Sequence, residues 1–298
     1  MKFPPISTES TDTMRIASNR ICDIERFAYS ELQEVYSADE IRNLLRIIFE
    51  EYLGWDLTTW LLSKQKTINQ SDLLKINFAI KDLKRHRPIQ HILGKADFCG
   101  MTLAVNKDVL IPRPETEGLV ELAKSNLQSP QRILDLCTGS GCIAIALAKV
   151  FPNAEITAVD ISEKALGVAQ QNAWNQKVTI NILQADILNN DLAELPMFDT
   201  IVSNPPYVRE QEKAAMQPNV LDYEPHLALF VPDNDPLLFY RRIAETAHKH
   251  LVPNGLLIVE INENLGEETA GLLRAKGFET SLHNDFRGKT RFAAGRMG

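Results

Sequence analysis

Apolar and polar positions divide the chain into two regions of different periodicity. In residues 1–85 the apolar residues recur at helical spacing, most clearly over residues 40–53. From Glu115 onward, short apolar runs alternate with helical stretches. The first region predicts a small helical bundle. The second predicts a parallel α/β sheet with helices on both faces, since each helix carries the chain over to the next parallel strand.

The helical region carries clear boundary signals. Ser37, with Glu40 three residues later, has the pattern of a capping box, and Gly54 is placed to stop the helix over residues 40–53. A second periodic run, residues 73–80, follows a polar segment. We find no catalytic chemistry in this bundle. It serves either to recognise a partner or as a stabilising cap, and the sequence favours neither role.

Short apolar runs predict the strands of the second region. Five parallel strands and a closing antiparallel pair are predicted at residues 132–136, 156–159, 178–183, 198–203, 256–260, 278–283 and 290–294. The helix after the second strand is predicted from Ser162, its cap, to Ala173. Residues 88–110, punctuated by Gly94 and Gly100, predict a hairpin between the two regions.

The tetrapeptide Asn204-Pro205-Pro206-Tyr207 directly follows the fourth predicted strand. Open α/β sheets bind ligands at the carboxyl ends of their strands. The two prolines fix φ and remove two backbone donors, so the carbonyls of this turn and the amide oxygen of Asn204 form a cluster of acceptors. Such a cluster suits a planar NH2 group, and Tyr207 supplies a flat wall for it. The motif therefore predicts a site that aims a nitrogen lone pair at an electrophile.

A glycine-containing turn follows the first predicted strand and opens a helix. Its residues are Cys137, Thr138, Gly139, Ser140 and Gly141. The glycines let the backbone approach a ligand, and the helix N-terminus offers free N–H groups. Asp160 ends the next strand, about twenty residues later, where an acidic residue can bind both hydroxyls of a ribose. Taken alone, the turn also satisfies the G-x-G-x-x-A pattern of dinucleotide binding.

Two features favour S-adenosylmethionine over a dinucleotide. Asp135 lies inside the first strand, two residues before the turn, and resembles the acid of the methyltransferase signature D-x-G-x-G-x-G. The Asn-Pro-Pro-Tyr motif has no role in hydride transfer. Together these motifs resemble the amino-methyltransferases that use S-adenosylmethionine.

A third stretch narrows the resemblance. Residues 88–94 (Pro-Ile-Gln-His-Ile-Leu-Gly), 98–100 (Phe-Cys-Gly) and 109–117 (Val-Leu-Ile-Pro-Arg-Pro-Glu-Thr-Glu) look like the connector of the HemK/PrmC family. Its members methylate the glutamine side-chain nitrogen of peptide chain release factors. The chain departs from the family at Cys137, where the family usually has the first glycine of its loop. A small side chain fits that position if its φ is negative.

The resemblance implies a fold and a division of the chain. It implies a seven-stranded Rossmann-like methyltransferase sheet, with its last strand antiparallel, preceded by a small N-terminal helical bundle and a β-hairpin connector. We place a substrate-recognition domain at residues 1–85, the connector at residues 86–112 and the methyltransferase domain at residues 113–298.

The resemblance also implies how the cofactor, S-adenosyl-L-methionine, is bound. The backbone of residues 137–141 would hold its methionine portion, and Asp160 would bind its ribose. Asp186 would accept from the adenine amino group, and Ile187 would border the adenine as an apolar wall.

The substrate glutamine would lie against the tetrapeptide. Asn204 and the carbonyl of Pro205 would accept hydrogen bonds from its NH2 group, and Pro206 and Tyr207 would confine the amide plane. The long segment of residues 208–235 is expected to cover the site and to shape the substrate channel.

Composition restricts the class and location of the protein. The 298 residues carry a net charge of −7, which disfavours a stable complex with nucleic acid. No apolar run approaches the roughly eighteen residues of a membrane span, and the N-terminus lacks the apolar segment of a signal peptide. Four cysteines without a C-x-x-C pair, and scattered histidines, predict reduced thiols in a cytoplasmic protein with no metal site. We expect a monomer.

Three other functions stay open at this stage. Enzymes that methylate adenine or guanine amino groups share the Asn-Pro-Pro-Tyr motif, but base flipping needs a basic groove that the acidic balance disfavours. A non-catalytic adaptor would bind a partner through the helical bundle, and the intact Asn204, Asp160 and glycine turn argue against it. The third is a dinucleotide oxidoreductase.

Overall fold

The computed structural model describes Ile16, residues 18–190 and residues 192–298. The chain divides into two compact units, Met1–Ile92 and Leu93–Gly298. Apolar clusters form separate cores in the two units. Within the described part of the chain, no helix is both long and apolar enough to cross a bilayer.

The first unit is the helical bundle that the periodicity predicted. Its helices are α1 (Ile21–Leu32), α2 (Ala38–Leu53), α3 (Leu57–Leu62) and α4 (Gln70–Lys84), with α5 (Ile89–Leu93) at the border of the second unit. The capping box of α2 is confirmed, because the Ser37 hydroxyl accepts from the Glu40 N–H at 3.3 Å and the Glu40 carboxylate accepts from the Ser37 N–H at 2.9 Å. Gly54 ends α2 with a φ of 68°.

The connector contains a shorter hairpin than the sequence predicted. Its strands are β1 (Lys95–Phe98) and β2 (Met101–Ala104), so the prediction of a hairpin over residues 88–110 is wrong at both ends. On the N-terminal side the chain forms α5 instead. Pro88 is tolerated at a helix start, and its carbonyl accepts from the Ile92 N–H at 3.0 Å.

The second unit continues from the hairpin as alternating helices and strands. In chain order these are α6 (Glu117–Asn126), β3 (Arg132–Leu136), α7 (Cys142–Val150), β4 (Glu155–Asp160), α8 (Glu163–Gln176), β5 (Asn181–Gln184), β6 (Phe198–Ser203), β7 (Val208–Arg209), α9 (Pro218–Leu221), β8 (Phe230–Val231), α10 (Leu238–His250), β9 (Leu251–Glu260), α11 (Gly266–Ala275), β10 (Phe278–Asn284) and β11 (Thr290–Met297).

Seven of these strands form one sheet in the order β10-β11-β9-β6-β3-β4-β5. β3 pairs in parallel with both β4 and β6, whereas β11 pairs antiparallel with β9 and β10. The predicted seven-stranded methyltransferase sheet with its last strand antiparallel is confirmed. The chain runs outward from β3 to β5 and returns to β6 on the other side of β3. The carboxyl ends of β3 and β6 therefore form the switch point at which such sheets bind ligands.

Alternate residues of the central strands point into opposite layers. Ile133 and Val202 belong to one buried cluster with residues of α6 and α7, and Leu134 and Ile201 belong to a second with residues of α10. A parallel sheet is buried on both faces, which is why its strands are continuous apolar runs in the sequence.

Two strands, β5 and β9, begin three residues or more from their predicted starts. β5 begins at Asn181 rather than at residue 178, because α8 ends on Lys177 in a left-handed conformation (φ 59°) and the Val178 N–H donates back to the Ala173 carbonyl. β9 begins at Leu251, five residues early, and the sheet register shifts beside it.

The segment of residues 208–235 is more ordered than a single long loop. β7 and β8 pair in parallel within it, and α9 lies between them. The Val208 N–H donates to the Leu229 carbonyl at 2.9 Å, which closes the segment on itself.

Two helix glycines provide a matched test of packing in the second unit. An alanine Cβ at Gly118 in α6 would lie 2.7 Å from the buried ring of Phe292, whereas one at Gly167 in α8 would meet no atom within 4 Å. We expect Gly118→Ala to lower the free energy of unfolding by about 1–3 kcal/mol through overpacking. Gly167→Ala should raise it by about 0.5–1 kcal/mol. Urea denaturation of both variants measures these changes, and midpoints that moved in the same direction would contradict the packing of α6 on β11.

Candidate active site

A cavity of about 220 Å³ opens at the switch point of the sheet. Its walls come from the ends of β3, β4 and β6, from the segment after the hairpin and from residues 225–228. The predicted site residues that line it are Cys137, Gly139, Asp160, Asp186, Ile187, Asn204 and Pro206. The predicted site residues that do not line it are Thr138, Ser140, Gly141, Pro205 and Tyr207.

The glycine turn is left-handed at three positions. The φ angles of Gly139 and Gly141 are 55° and 79°, and that of Cys137 is 60°. The negative φ under which a side chain was expected to fit at Cys137 is therefore not observed, and the turn has the geometry of a glycine loop despite the side chain. A Cβ at Gly141 would lie 2.9 Å from the Cβ of Ala169, so only glycine lets α7 approach α8 this closely.

Asp135 supports this turn from within the sheet. It is fully buried in β3, and its Oδ2 accepts from the Thr138 hydroxyl at 2.6 Å and from the Ala144 N–H at 3.2 Å. Burial raises the pKa of Asp135 to about 7, although both of these hydrogen bonds act to lower it. Asp135 thus joins the strand, the turn and the first residues of α7.

Asp160 joins the turn to the next strand at the cavity wall. Its Oδ2 accepts from the Gly139 N–H and its Oδ1 from the Ser162 N–H, both at 2.9 Å. Burial raises the pKa of Asp160, and these backbone hydrogen bonds oppose that shift. A carboxylate has about four acceptor sites, so each oxygen keeps one for a ligand in the cavity.

Asp186 and Ile187 follow β5 at the same edge of the sheet. Asp186 caps the turn behind it, since its Oδ1 accepts from the Leu188 N–H at 2.9 Å and its Oδ2 from the Asn189 side chain at 2.7 Å. Ile187 is buried and presents an apolar surface to the cavity. Leu110 and Phe239 extend this apolar wall.

A chain of hydrogen bonds lies behind Asn204. The Asn204 Nδ2 is 3.2 Å from the Thr116 hydroxyl, which lies 2.7 Å from Oε2 of Glu260, at the end of β9. The Tyr207 hydroxyl donates to Oε1 of Glu260 at 2.9 Å. Burial beside Glu260 raises the pKa of Tyr207 well above its ordinary value, so the phenol keeps its proton. Burial also raises the pKa of Glu260, while the two hydroxyls and Arg291 oppose the shift.

An ion pair whose carboxylate is buried fastens the segment of residues 208–235 to the connector. Glu224 accepts from the Arg113 guanidinium at 2.6 Å and from the Ile111 N–H at 3.0 Å. The neighbouring residues Pro225 and Val109 both line the cavity. This contact explains how the segment reaches the site, as the sequence predicted.

Sequence reasoning assigned no role to Thr116, Glu224 or Glu260. Thr116 lies within a motif that was noted only as a resemblance, and Glu224 lies within the segment that was expected to cover the site. Glu260 had a usable signal: like Asp160, it is an acidic residue that ends an apolar strand, and carboxyl ends of parallel strands share one edge of a sheet. The Arg113 partner of Glu224 is 111 positions away and the Thr116 partner of Glu260 is 144 positions away, beyond any local pattern.

Comparison with known proteins yields matches over both units. A family model described as the PrmC N-terminal domain matches residues 23–94, and one described as the methyltransferase small domain matches residues 116–222. A solved methyltransferase structure from Pyrococcus furiosus superposes with a TM-score of 0.51 at 17% identity, covering 77% of this chain and all of that chain (100%). At that identity the match supports the fold alone.

Closer relatives share the chain almost end to end. A release factor glutamine methyltransferase of Flavobacterium psychrophilum is 46% identical over 271 residues, which cover 87% of this chain and 93% of the relative. That of Bacteroides thetaiotaomicron is 40% identical over 269 residues, covering 90% and 97%. The motifs, the sheet and these relatives agree, and the chain belongs to the release factor glutamine methyltransferase family.

Proposed function

We propose that this protein transfers a methyl group from S-adenosyl-L-methionine to the side-chain amide nitrogen (N5) of the glutamine in the Gly-Gly-Gln motif of peptide chain release factors. The observation that carries the proposal is one cavity with two kinds of wall. Gly139 and Asp160 form the side suited to a nucleoside, and Asn204 with Pro206 forms the side suited to a planar amide.

The residues of the first side fit S-adenosylmethionine. Asp160 keeps an acceptor site on each oxygen for the ribose hydroxyls. Asp186 provides acceptors beside the apolar surface of Ile187, a combination that suits a flat base with an amino group. When bound, the cofactor supplies a methyl group on a positively charged sulfonium.

The residues of the second side act by orientation. Amide nitrogen is a poor nucleophile because its lone pair is delocalised, so positioning and polarisation account for most of the rate. Asn204 accepts from the NH2 group and the buried Pro206 confines the amide plane, whereas Pro205 and Tyr207 lie outside the cavity lining. Asn204 and Pro206 would hold the amide so that its nitrogen lone pair faces the methyl group that the cofactor supplies, and the nitrogen would release one N–H proton to solvent.

The remaining assignments extend this proposal. The helical unit would recognise the release factor, and the division at residues 1–85, 86–112 and 113–298 would separate recognition, connection and catalysis. Four free cysteines fit a reducing compartment, so we place the enzyme in the cytoplasm. We also propose that it is a monomer.

Mass spectrometry of a release factor incubated with this protein and S-adenosylmethionine tests the function directly. We expect a gain of one methyl group on the Gly-Gly-Gln glutamine. A release factor with glutamate at that position is the matched control, since it lacks the acceptor NH2 and should stay unmodified. Duplex DNA and ribosomal RNA at low salt, where phosphate attraction is strongest, should remain unlabelled. Labelling of nucleic acid alone would assign the enzyme to base methylation instead.

A further inference from the structure

We propose that Thr116 and Glu260 are positioning residues that set which end of the Asn204 amide faces the substrate. The inference rests on the proposed function, because it gives Asn204 an acceptor amide to orient. Neither residue lines the cavity, so both act through Asn204. Both are nearly inaccessible, with 1% of each residue exposed.

The hydrogen-bond chain has a definite direction. Each oxygen of Glu260 faces one hydroxyl, Oε2 that of Thr116 and Oε1 that of Tyr207. Both hydroxyls donate to the Glu260 carboxyl group, so both hydroxyl protons point toward Glu260. The Thr116 oxygen then has only lone pairs to offer Asn204. It therefore accepts from the Asn204 NH2 group, 3.2 Å away.

This direction matters because an asparagine amide has two ends of nearly equal size. Rotation by a half turn exchanges oxygen and nitrogen without changing the shape, so only hydrogen bonds decide the orientation. With Nδ2 held by Thr116, Oδ1 is free to face the cavity and to accept from the substrate NH2. With the amide reversed, the Asn204 NH2 group would face the NH2 group of the substrate.

Glu260 also couples both ends of the tetrapeptide. Tyr207 shares the carboxylate with Thr116, and the Tyr207 carbonyl accepts from the Asn262 side chain at 3.2 Å. Asn204, through Thr116, and Tyr207, directly, are thus both hydrogen-bonded to the Glu260 carboxylate at the end of β9. The hydroxyl of Tyr207 serves this support, which accounts for its position outside the cavity lining.

The pair Thr116→Val and Thr116→Ser tests the proposal. Valine keeps the shape but cannot accept from Asn204, whereas serine keeps the hydroxyl. We expect Thr116→Val to lower kcat for release factor methylation on the order of ten- to a hundredfold, the usual effect of a misplaced reactant, with little change in the Kd for S-adenosylmethionine. Thr116→Ser should recover most of the rate. A kcat of Thr116→Val equal to wild type, or equal losses in both variants, would overturn the proposal.

A second measurement does not depend on the valine variant. In a 15N-labelled sample, the side-chain NH2 protons of Asn204 should show a nuclear Overhauser effect to the Thr116 methyl group, and the same contact should persist in Thr116→Ser to its β-protons. Absence of the effect in the wild type would overturn the proposal even if the valine variant failed to fold. If wild-type protein left release factor unmodified but showed this contact, the proposed substrate would be wrong and the orientation of Asn204 would stand.

Discussion

Replacing Asn204 with alanine is expected to abolish methyl transfer while leaving the fold intact. Asn204 is half-buried at the end of β6, outside the apolar clusters, so its side chain contributes little to the core. Its loss removes the group that positions and polarises the acceptor amide, and a misplaced nucleophile loses orders of magnitude in rate. Single-turnover methylation of release factor measures the effect. Cofactor affinity should fall only modestly, because Gly139 and Asp160 remain.

Asn204→Asp is the sharper form of this experiment. The substitution keeps the size and an acceptor oxygen but adds a negative charge beside the sulfonium. This charge stabilises the bound cofactor more than it stabilises the transition state, in which the positive charge is dispersed. It also removes the NH2 donor to Thr116. We expect cofactor binding to persist and the rate to fall about a hundredfold or more. If Asn204→Ala methylated release factor at a near wild-type rate, the acceptor would have to bind elsewhere.

Replacing Asp160 with alanine is expected to weaken S-adenosylmethionine binding by about 2–3 kcal/mol, roughly thirty- to more than a hundredfold in Kd. Two effects combine. The ribose loses a charged acceptor, and the N–H groups of Gly139 and Ser162 lose the oxygens that fix the turn around the cofactor. Isothermal titration calorimetry with S-adenosylmethionine, its demethylated product and NAD measures the change.

Asp108→Ala is the matched control for Asp160→Ala. Asp108 also lines the cavity, yet its carboxylate lies near the ammonium groups of Lys107 and Lys164, at 3.7 and 3.9 Å. Removing it changes the charge of the cavity rim by the same amount without touching the turn, and we expect little change in Kd. Equal losses in both variants would show that general electrostatic attraction, rather than the Asp160 hydrogen bonds, binds the cofactor. Heat from NAD with none from S-adenosylmethionine would refute the assignment of the cofactor.

Local patterns determined most of the fold. β3 and β6 have the bounds that their apolar runs predicted, because each run is buried on both faces of the sheet. The capping box of α2 depends only on residues three positions apart. Where prediction failed, a competing local arrangement replaced the strand: the late start of β5 depends on how α8 ends, and the shortened hairpin on the helical turn after Pro88.

The sequence by itself determined the two walls of the site, since Asp160 and Asn204 each follow a strand and parallel strands end at one edge of a sheet. Only the tertiary structure determined the hydrogen bonds that hold those walls from behind. Asn204 meets Thr116 across 88 positions of the chain, and Thr116 meets Glu260 across 144. Periodicity describes neighbours along the chain, whereas these contacts follow from the sheet order, which places the ends of β6 and β9 side by side with the segment before α6.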